Sequence, residues 1–451
     1  MKMDGFISTI NNHIDSLKLP DYLSLIDETN HIILRSLTKD FGYNELEAKL
    51  FLLKISNLLI GKYQYINRYI HLISRPFGLI VDPANGCNLH CPGCVHSKNA
   101  NATRDFLWPP GNLREETFQD FLAQYGVFAT NILFYNYGEP LLNKLTPKFI
   151  RMARLFLLNT SISTNLAIPN INFEELVLSG LDYMILSIDG GTKDTYSKYR
   201  RGGNFDVVID NLKNLVLTKK RLKGYTPFLV WQFLCFKHNV HEIELVKNLS
   251  KEIGLNQLNI VIPFGVDWDD PSIIVESSIN EEHVIFNYSA NERANNLNKM
   301  LLNLNEEIIN KTFAEGWFGR YINRENEEVL TDKENTCNYL YKVIAMDAKG
   351  RIMPCCAPPS ISHNLVFSHF EKQNEAFNAN MYKLARLFFS NRNEYEKKVA
   401  TLTRNEIPHC SECRQFSIKP IVDTNHVMDY LDAIKIFNVL SPESKKILTD
   451  W

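Results

Sequence analysis

The sequence predicts an α/β fold built on a partial, TIM-like (β/α)6 barrel, because short apolar strands alternate with amphipathic helical stretches through its middle. The strands are apolar on both faces, which is typical of a parallel sheet covered by helices. In such a sheet the functional residues lie at the carboxyl ends of the strands. The predicted strands are 77–82, 131–135, 160–164, 183–188, 228–234 and 258–263, and the predicted helices are 115–125, 143–157, 173–179, 205–222 and 241–253.

Changes in composition and in predicted secondary structure divide the 451 residues into five segments. A helical N-terminal extension (1–75) precedes the barrel (76–268). A polar segment rich in Asn and Glu (269–335) is predicted to be a helical connection. A small cysteine-bearing domain (336–415) and a helical tail (416–451) complete the chain.

Composition and charge exclude several classes of partner. The apolar fraction of 45% and the charged fraction of 22% are ordinary for a soluble globular protein. The net charge is −2 and the sequence has no long basic run, so nothing in it indicates a nucleic-acid-binding surface. The N-terminus lacks the pattern of a signal peptide, and its most apolar stretch (46–60) is too short and too charged to cross a membrane. The sequence therefore predicts a cytoplasmic protein with no nucleic-acid or membrane partner.

Eight of the nine cysteines fall in tight groups. Cytosolic thiols stay reduced, so clustered cysteines in this compartment indicate metal ligands before disulfides. The groups are Cys87, Cys91 and Cys94; Cys337, Cys355 and Cys356; and Cys410 and Cys413.

The first group has a C-x₃-C-x₂-C spacing on the loop after the first predicted strand. Three thiolates so close together can hold one compact centre, either zinc or an iron–sulfur cluster. A structural zinc site is normally closed by four ligands, whereas three ligands leave one metal position open for a substrate or cofactor. The alternative is a zinc knuckle completed by His90 or His96.

This spacing, after the first strand of a βα series, resembles the radical S-adenosylmethionine superfamily. The resemblance implies that Cys87, Cys91 and Cys94 hold a [4Fe–4S] cluster, whose open iron binds the amino and carboxylate groups of S-adenosylmethionine. One position departs from the family pattern: Gly93 stands where an aromatic residue usually packs near the adenine.

Motifs at the later strand ends extend the resemblance, which covers residues 77–265. Gly138, Glu139 and Pro140 resemble the family's GEP motif, in which the backbone meets the cofactor's amino group. Helix capping or a solvated surface charge remains the alternative for each residue taken singly. The other implied cofactor-binding residues are Ser163 and Asn165 for the ribose, Ser187 and Asp189 at the fourth strand end, and Arg200 or its neighbour Arg201 for the carboxylate.

The second cysteine group surrounds the run DAKGRIMPC, which predicts a hairpin with its turn at 348–350. This arrangement resembles the SPASM or twitch extension of the superfamily. Because no cysteine follows Cys413, the shorter twitch form fits, and the resemblance implies one auxiliary [4Fe–4S] cluster. A structural zinc ribbon is the alternative. The implied ligands are Cys337, Cys355, Cys410 and Cys413.

Two cysteines remain outside these ligand sets. Cys356 and Cys235 are candidate hydrogen donors to a substrate radical. A buried inert thiol is the commoner role for such a cysteine, and Cys356 is also a candidate alternative ligand.

The resemblance implies an enzyme that cleaves S-adenosylmethionine to a 5′-deoxyadenosyl radical and abstracts a hydrogen atom from a peptide or a small molecule. Its electron would come from a flavodoxin or ferredoxin, and an auxiliary cluster favours a net oxidation, either dehydrogenation or bond formation. Asp267, Asp269 and Asp270 are a candidate site for a cationic substrate, with a solvated acidic loop as the alternative. The alternative functions are a radical epimerase with a Cys hydrogen donor, and a non-catalytic iron–sulfur or zinc protein for electron transfer or interaction.

Overall fold

The computed structural model describes the barrel and part of the C-terminal cysteine segment. Most of the predicted N-terminal extension, Cys337, Cys410, Cys413, Asp267, Asp269 and the predicted tail lie outside the described residues. The described residues are 50, 54, 57, 72, 74–97, 109–224, 226–263, 270–276, 283–289, 339–356, 366, 368–371, 376–379, 382, 383, 385 and 386.

Strands and helices alternate through the first two thirds of the described chain. The strands are β1 (Gly78–Val81), β2 (Asn131–Leu133), β3 (Asn159–Thr164), β4 (Tyr183–Ser187), β5 (Phe228–Leu234), β6 (Gln257–Val261), β7 (His283–Asn287), β8 (Val343–Met346), β9 (Arg351–Met353) and β10 (Ser368–His369). The helices are α1 (Glu115–Tyr125), α2 (Thr146–Leu155), α3 (Phe173–Leu178), α4 (Lys193–Tyr199), α5 (Phe205–Arg221), α6 (Ile243–Ile253) and α7 (Tyr339–Lys342).

The strands of the described residues form one open sheet in the order β10-β9-β8-β1-β2-β3-β4-β5-β6-β7. Strands β1 to β6 are mutually parallel in sequential order. The order confirms the predicted α/β fold with a partial barrel of six parallel strands, and the sheet is not closed. None of the described helices has the length and hydropathy that a membrane crossing requires.

The alternation of side chains along the strands explains why the two faces of the sheet differ. Leu79, Met184 and Trp231 on one face are fully buried with the helices in the main apolar core. Ile80 and its cross-strand partner Leu133 lie on the opposite, inner face. Because the helices cover only the outer face, the inner face is left to line the barrel interior.

The predicted helical connection (269–335) is wrong for one described stretch. His283–Asn287 forms β7, which pairs antiparallel with β6 and so ends the parallel part of the sheet. The short helix α4 was also not predicted, because seven residues are too few to show a clear helical period.

The boundary predicted at residue 336 does not separate two cores. Strand β8 pairs parallel with β1, and β8 and β9 form the predicted hairpin, in which Gly350 has a φ of +78°. The buried Arg386 guanidinium donates to the carbonyls of Leu340 and Phe377 at 2.9 and 2.6 Å. The described part of the cysteine segment therefore belongs to the same core as the barrel.

Candidate active site

The loop after β1 brings its three cysteines together at the carboxyl edge of the sheet. Cys91 is buried and Cys87 and Cys94 are half-buried, in one apolar cluster with Tyr199 and Phe236. The loop turns tightly, with the Cys94 amide donating to the Cys91 carbonyl at 3.2 Å. This loop is therefore a compact, partly desolvated site for soft ligands.

Gly93 departs from the family pattern for a backbone reason. Its φ is +75°, a left-handed conformation in which a side chain with a Cβ is strained. An aromatic residue at this position would be disfavoured by the turn between Cys91 and Cys94.

Hydrogen-bond donors from separate parts of the barrel point at these sulfur atoms. The Leu89 amide and the Asn165 side-chain amide donate to Cys87 Sγ at 3.4 and 3.6 Å, and Arg200 Nη1 lies 3.9 Å from Cys91 Sγ. Such donors stabilise a thiolate more than a thiol. The loop is therefore equipped to stabilise thiolate ligands.

Burial raises the pKa of Cys87 to about 12 and that of Cys91 to about 11. Thiols with such pKa values are poor nucleophiles at neutral pH, which argues against covalent catalysis by these cysteines. A coordinated metal, by contrast, deprotonates a thiol outright. The surroundings of the loop therefore fit a metal-ligand role for these two cysteines.

The predicted zinc alternative needs an imidazole beside the thiols. His90 Nδ1 contacts the His96 carbonyl at 3.0 Å, and His96 Nε2 contacts the Tyr137 carbonyl at 3.1 Å. Within the described part of the chain, no group of three His, Cys, Asp or Glu is placed to hold a single metal ion. That finding concerns a mononuclear site, whereas the three thiolates of an iron–sulfur cluster each bind a different iron.

The GEP turn packs directly against the cysteine loop. A Cβ on Gly138 would lie 1.5 Å from the Ala84 carbonyl oxygen, so only glycine fits there. The Glu139 amide donates to the Gly86 carbonyl at 2.8 Å, one residue before the first cysteine. The turn and the loop are therefore one structural unit.

Glu139 links this unit to the end of β3. Its buried carboxylate accepts hydrogen bonds from Thr164 Oγ1 at 2.7 Å and from the Asn165 amide at 2.8 Å. Burial raises the pKa of Glu139 to about 7. Its side chain also accepts from the Leu141 amide and so caps the 3-10 turn Pro140–Leu142. Glu139 therefore has the helix-capping role of the alternative hypothesis as well as its contacts with β3.

The remaining predicted residues lie at neighbouring strand ends. Ser163 Oγ and Ser187 Oγ are 3.0 Å apart, across β3 and β4. Asp189 is fully buried, pairs with the Arg200 guanidinium, and accepts from the Leu234 amide at 2.7 Å. Asp189 thus holds Arg200 beside Cys91.

Arg201 points elsewhere. Its guanidinium pairs with Asp270 at 2.5 Å, on a more exposed part of the surface. The structure therefore favours Arg200 over Arg201 as the arginine of the site. It also weakens the acidic-loop hypothesis, because the charge of Asp270 is already matched by an arginine of the barrel.

The cysteines outside the loop lie in different surroundings. Cys235 is fully buried in the main core, which favours the alternative of an inert packing thiol. Cys355 is half-buried and Cys356 is exposed, just after β9. The Tyr137 hydroxyl donates to the Cys356 carbonyl at 3.0 Å, which places this segment next to the GEP turn.

Sequence reasoning missed Asp82, a residue of the site. Asp82 directly follows β1 and is almost fully buried, and its Oδ1 accepts from the amides of Asn136, Tyr137 and Gly138 at 2.8, 3.2 and 3.3 Å. Burial raises the pKa of Asp82 to about 7. An acidic residue at the end of an apolar strand, as at Asp189, was the available signal.

The close contact at Gly138 yields a first prediction. The G138A variant should lose about 3 kcal/mol of unfolding free energy, the upper range for overpacking, because its methyl group would clash with backbone. The matched control is G86A in the same site, where an added Cβ would meet nothing within 4 Å. Chemical denaturation measures both variants, and equal stabilities would show that the turn does not pack as described.

Residues 81–217 match the model of the Radical SAM superfamily. The chain therefore contains a radical S-adenosylmethionine domain, and the matched segment includes the cysteine loop, the GEP turn and Arg200. The cofactors of this superfamily are a [4Fe–4S] cluster and S-adenosylmethionine.

The chain has no significant match among curated proteins. It is similar to solved structures of Streptococcus suis SuiB bound to S-adenosylmethionine (15% identity, 88% of this chain and 84% of that chain, TM-score 0.42), and of anSMEcpe with bound AdoMet and a Cp18Cys peptide (17%, 83% and 100%, 0.40). It is also similar to BtrN in complex with AdoMet and 2-DOIA (15%, 69% and 86%, 0.36).

Proposed function

We propose that this protein is a radical S-adenosylmethionine enzyme that holds a [4Fe–4S] cluster on Cys87, Cys91 and Cys94. The observation that carries the proposal is the convergence of three separate segments on the cysteine loop: the turn after β2, the end of β3 and the residue that follows α4. Gly138 and Glu139 pack against it, Asn165 donates to Cys87, and Arg200 lies beside Cys91. The contacts of these separate elements with one cysteine loop support a single cofactor-binding site.

When bound, the reduced cluster supplies the electron that splits S-adenosylmethionine into methionine and a 5′-deoxyadenosyl radical, which takes a hydrogen atom from the substrate. The backbone of Gly138, Glu139 and Pro140 would receive the cofactor's amino group. Arg200 uses Nε on Asp189 and Nη1 on Cys91, and a guanidinium has five N–H donors, so it can also bind the carboxylate.

The ribose would lie against the ends of β3 and β4. The Ser163 and Ser187 hydroxyls form a hydrogen-bonded pair there, and the Asn165 amide lies between the Asn88 side chain and Cys87. Asp189 acts through Arg200, because its carboxylate is fully buried and already paired. These residues orient the cofactor and carry no proton in the reaction.

An auxiliary [4Fe–4S] cluster on Cys337, Cys355, Cys410 and Cys413 is part of the proposal. Its support among the described residues is Cys355, which follows the hairpin strand β9 two strands away from β1. A second cluster near the barrel can take the electron left on the substrate radical, so a net oxidation is favoured. The reductant of the first cluster would be a flavodoxin or ferredoxin.

The radical epimerase alternative rests on Cys356. Its exposed thiol near the GEP turn is better placed to give a hydrogen atom to a substrate than the fully buried Cys235. A reaction that returns a hydrogen atom from this thiol would leave a thiyl radical that needs one electron and one proton, so an auxiliary cluster would have to give an electron instead of accepting one.

The inner face of the barrel bears on the class of substrate. The inward positions of β3 to β6 include uncharged hydrogen-bonding groups, and those of β1 and β8 are apolar except for the glycine at 78. Among the described strand positions, no Lys, Arg, Asp or Glu occupies the inward face of β1 to β6. This lining supports an uncharged, amide-rich segment, so a peptide is favoured over a charged small molecule. The polar positions include Ser161, Ser163, Ser187, Gln232 and Asn259.

Anaerobic reconstitution tests the proposal. With two clusters, the protein should bind about eight iron and eight sulfide ions, and with dithionite and S-adenosylmethionine it should produce 5′-deoxyadenosine. About four irons with deoxyadenosine would remove the auxiliary cluster and keep the enzyme. Iron without deoxyadenosine would favour an electron-transfer protein, and stoichiometric zinc without iron would favour an interaction protein.

A further inference from the structure

Tyr137 is held at three points that belong to three different parts of the chain. Its amide donates to the Asp82 carboxylate at the end of β1, at 3.2 Å. Its carbonyl contacts His96 Nε2 at 3.1 Å, two residues after the third cysteine of the loop. Its hydroxyl donates to the Cys356 carbonyl at 3.0 Å, 219 residues further along the chain. The residue therefore spans the gap between the two cysteine segments.

The Tyr137 side chain lies close to cysteines of both segments. The pKa of Tyr137 is raised well above its usual value, chiefly by burial and then by its closeness to Cys356, Cys355 and Cys94. The phenol O–H is the donor of the hydrogen bond that the Cys356 carbonyl accepts.

We propose that Tyr137 is a positioning residue that fixes the Cys355–Cys356 segment against the cysteine loop of the barrel. The backbone of Tyr137 is anchored to β1 and to the loop, so its hydroxyl gives Cys356 a fixed point at the barrel mouth. The side chain of Tyr137 thereby sets how far the Cys356 thiol is open to solvent and how Cys355 is oriented. Only the consequence for an auxiliary cluster rests on the proposed function.

The test compares Tyr137→Phe with Tyr183→Phe in the full-length, anaerobically reconstituted protein. Tyr183 is the first residue of β4. It therefore lies at the amino ends of the parallel strands, whereas the site lies at their carboxyl ends, and its variant makes the same chemical change away from the site. The main measurement is the rate at which iodoacetamide alkylates Cys356, followed by mass spectrometry. This rate needs neither substrate nor turnover, so it is obtained whether or not the protein cleaves S-adenosylmethionine.

In the Tyr137→Phe variant the alkylation rate of Cys356 should rise about fivefold, because the segment loses a hydrogen bond that holds it in place. The Tyr183→Phe variant should leave the rate unchanged. If two clusters are present, the electron paramagnetic resonance signal of the second should shift only in Tyr137→Phe. An unchanged alkylation rate in Tyr137→Phe would overturn the proposal.

A general loss of folding is distinguished from a positioning effect by rescue. Tyr137→p-aminophenylalanine restores an N–H donor at the same place on the ring, so it should return the alkylation rate of Cys356 towards the native value. If the rate stays high while the donor is restored, the hydroxyl is not the fixing contact and the proposal fails.

Discussion

Replacing Cys87, Cys91 and Cys94 together with Ala should abolish the reductive cleavage of S-adenosylmethionine. The three thiols are the only cysteines that the structure places on the loop after β1, and Asn165 and Arg200 direct donors at two of them. Without them no cluster forms there to deliver the electron. The iron content should fall by about four, and 5′-deoxyadenosine, measured by chromatography after reduction with dithionite, should disappear.

The matched control for this variant is Cys235→Ala. Cys235 is a fully buried thiol of the main core and is not a member of the apolar cluster that contains the loop cysteines, so its removal leaves a small cavity outside that cluster. That variant should keep its full iron content and its deoxyadenosine production. Deoxyadenosine formation at the native rate by the triple variant would refute the assignment of the cluster ligands.

The Arg200→Met variant should lose about 3–5 kcal/mol of unfolding free energy. The substitution leaves the Asp189 carboxylate fully buried without its cation. The control is Arg201→Met, which breaks a half-exposed pair with Asp270 and should change stability much less. Urea denaturation measures both, and equal losses of stability would contradict the buried ion pair.

A double variant separates stability from cofactor binding. In Asp189→Asn with Arg200→Met both charges are removed, while the Asn oxygen can still accept from the Leu234 amide, so much of the lost stability should return. Affinity for S-adenosylmethionine should not return, because the guanidinium that would bind its carboxylate is absent. Recovered affinity in the double variant would remove Arg200 from the cofactor site.

Local sequence pattern accounts for most of the barrel. All six predicted strands match the structure to within two residues at each end, and the predicted helices 115–125 and 205–222 correspond to α1 and α5. Apolar runs with clear periods and capping residues such as Asn204 determine these elements within a short window of the chain. The C-x₃-C-x₂-C spacing and the GEP turn are equally local, which is why they were readable.

Contacts between distant segments were decided by the tertiary structure alone. Strand β8 lies beside β1 rather than in a separate domain, and the hydroxyl of Tyr137 meets the carbonyl of Cys356. Backbone hydrogen bonds between parallel strands carry no sequence signature of their partner, because every residue except proline offers the same amide and carbonyl. The sequence by itself therefore determined the elements of the barrel and the cysteine loop, whereas the packing of the chain decided which residues meet at its mouth.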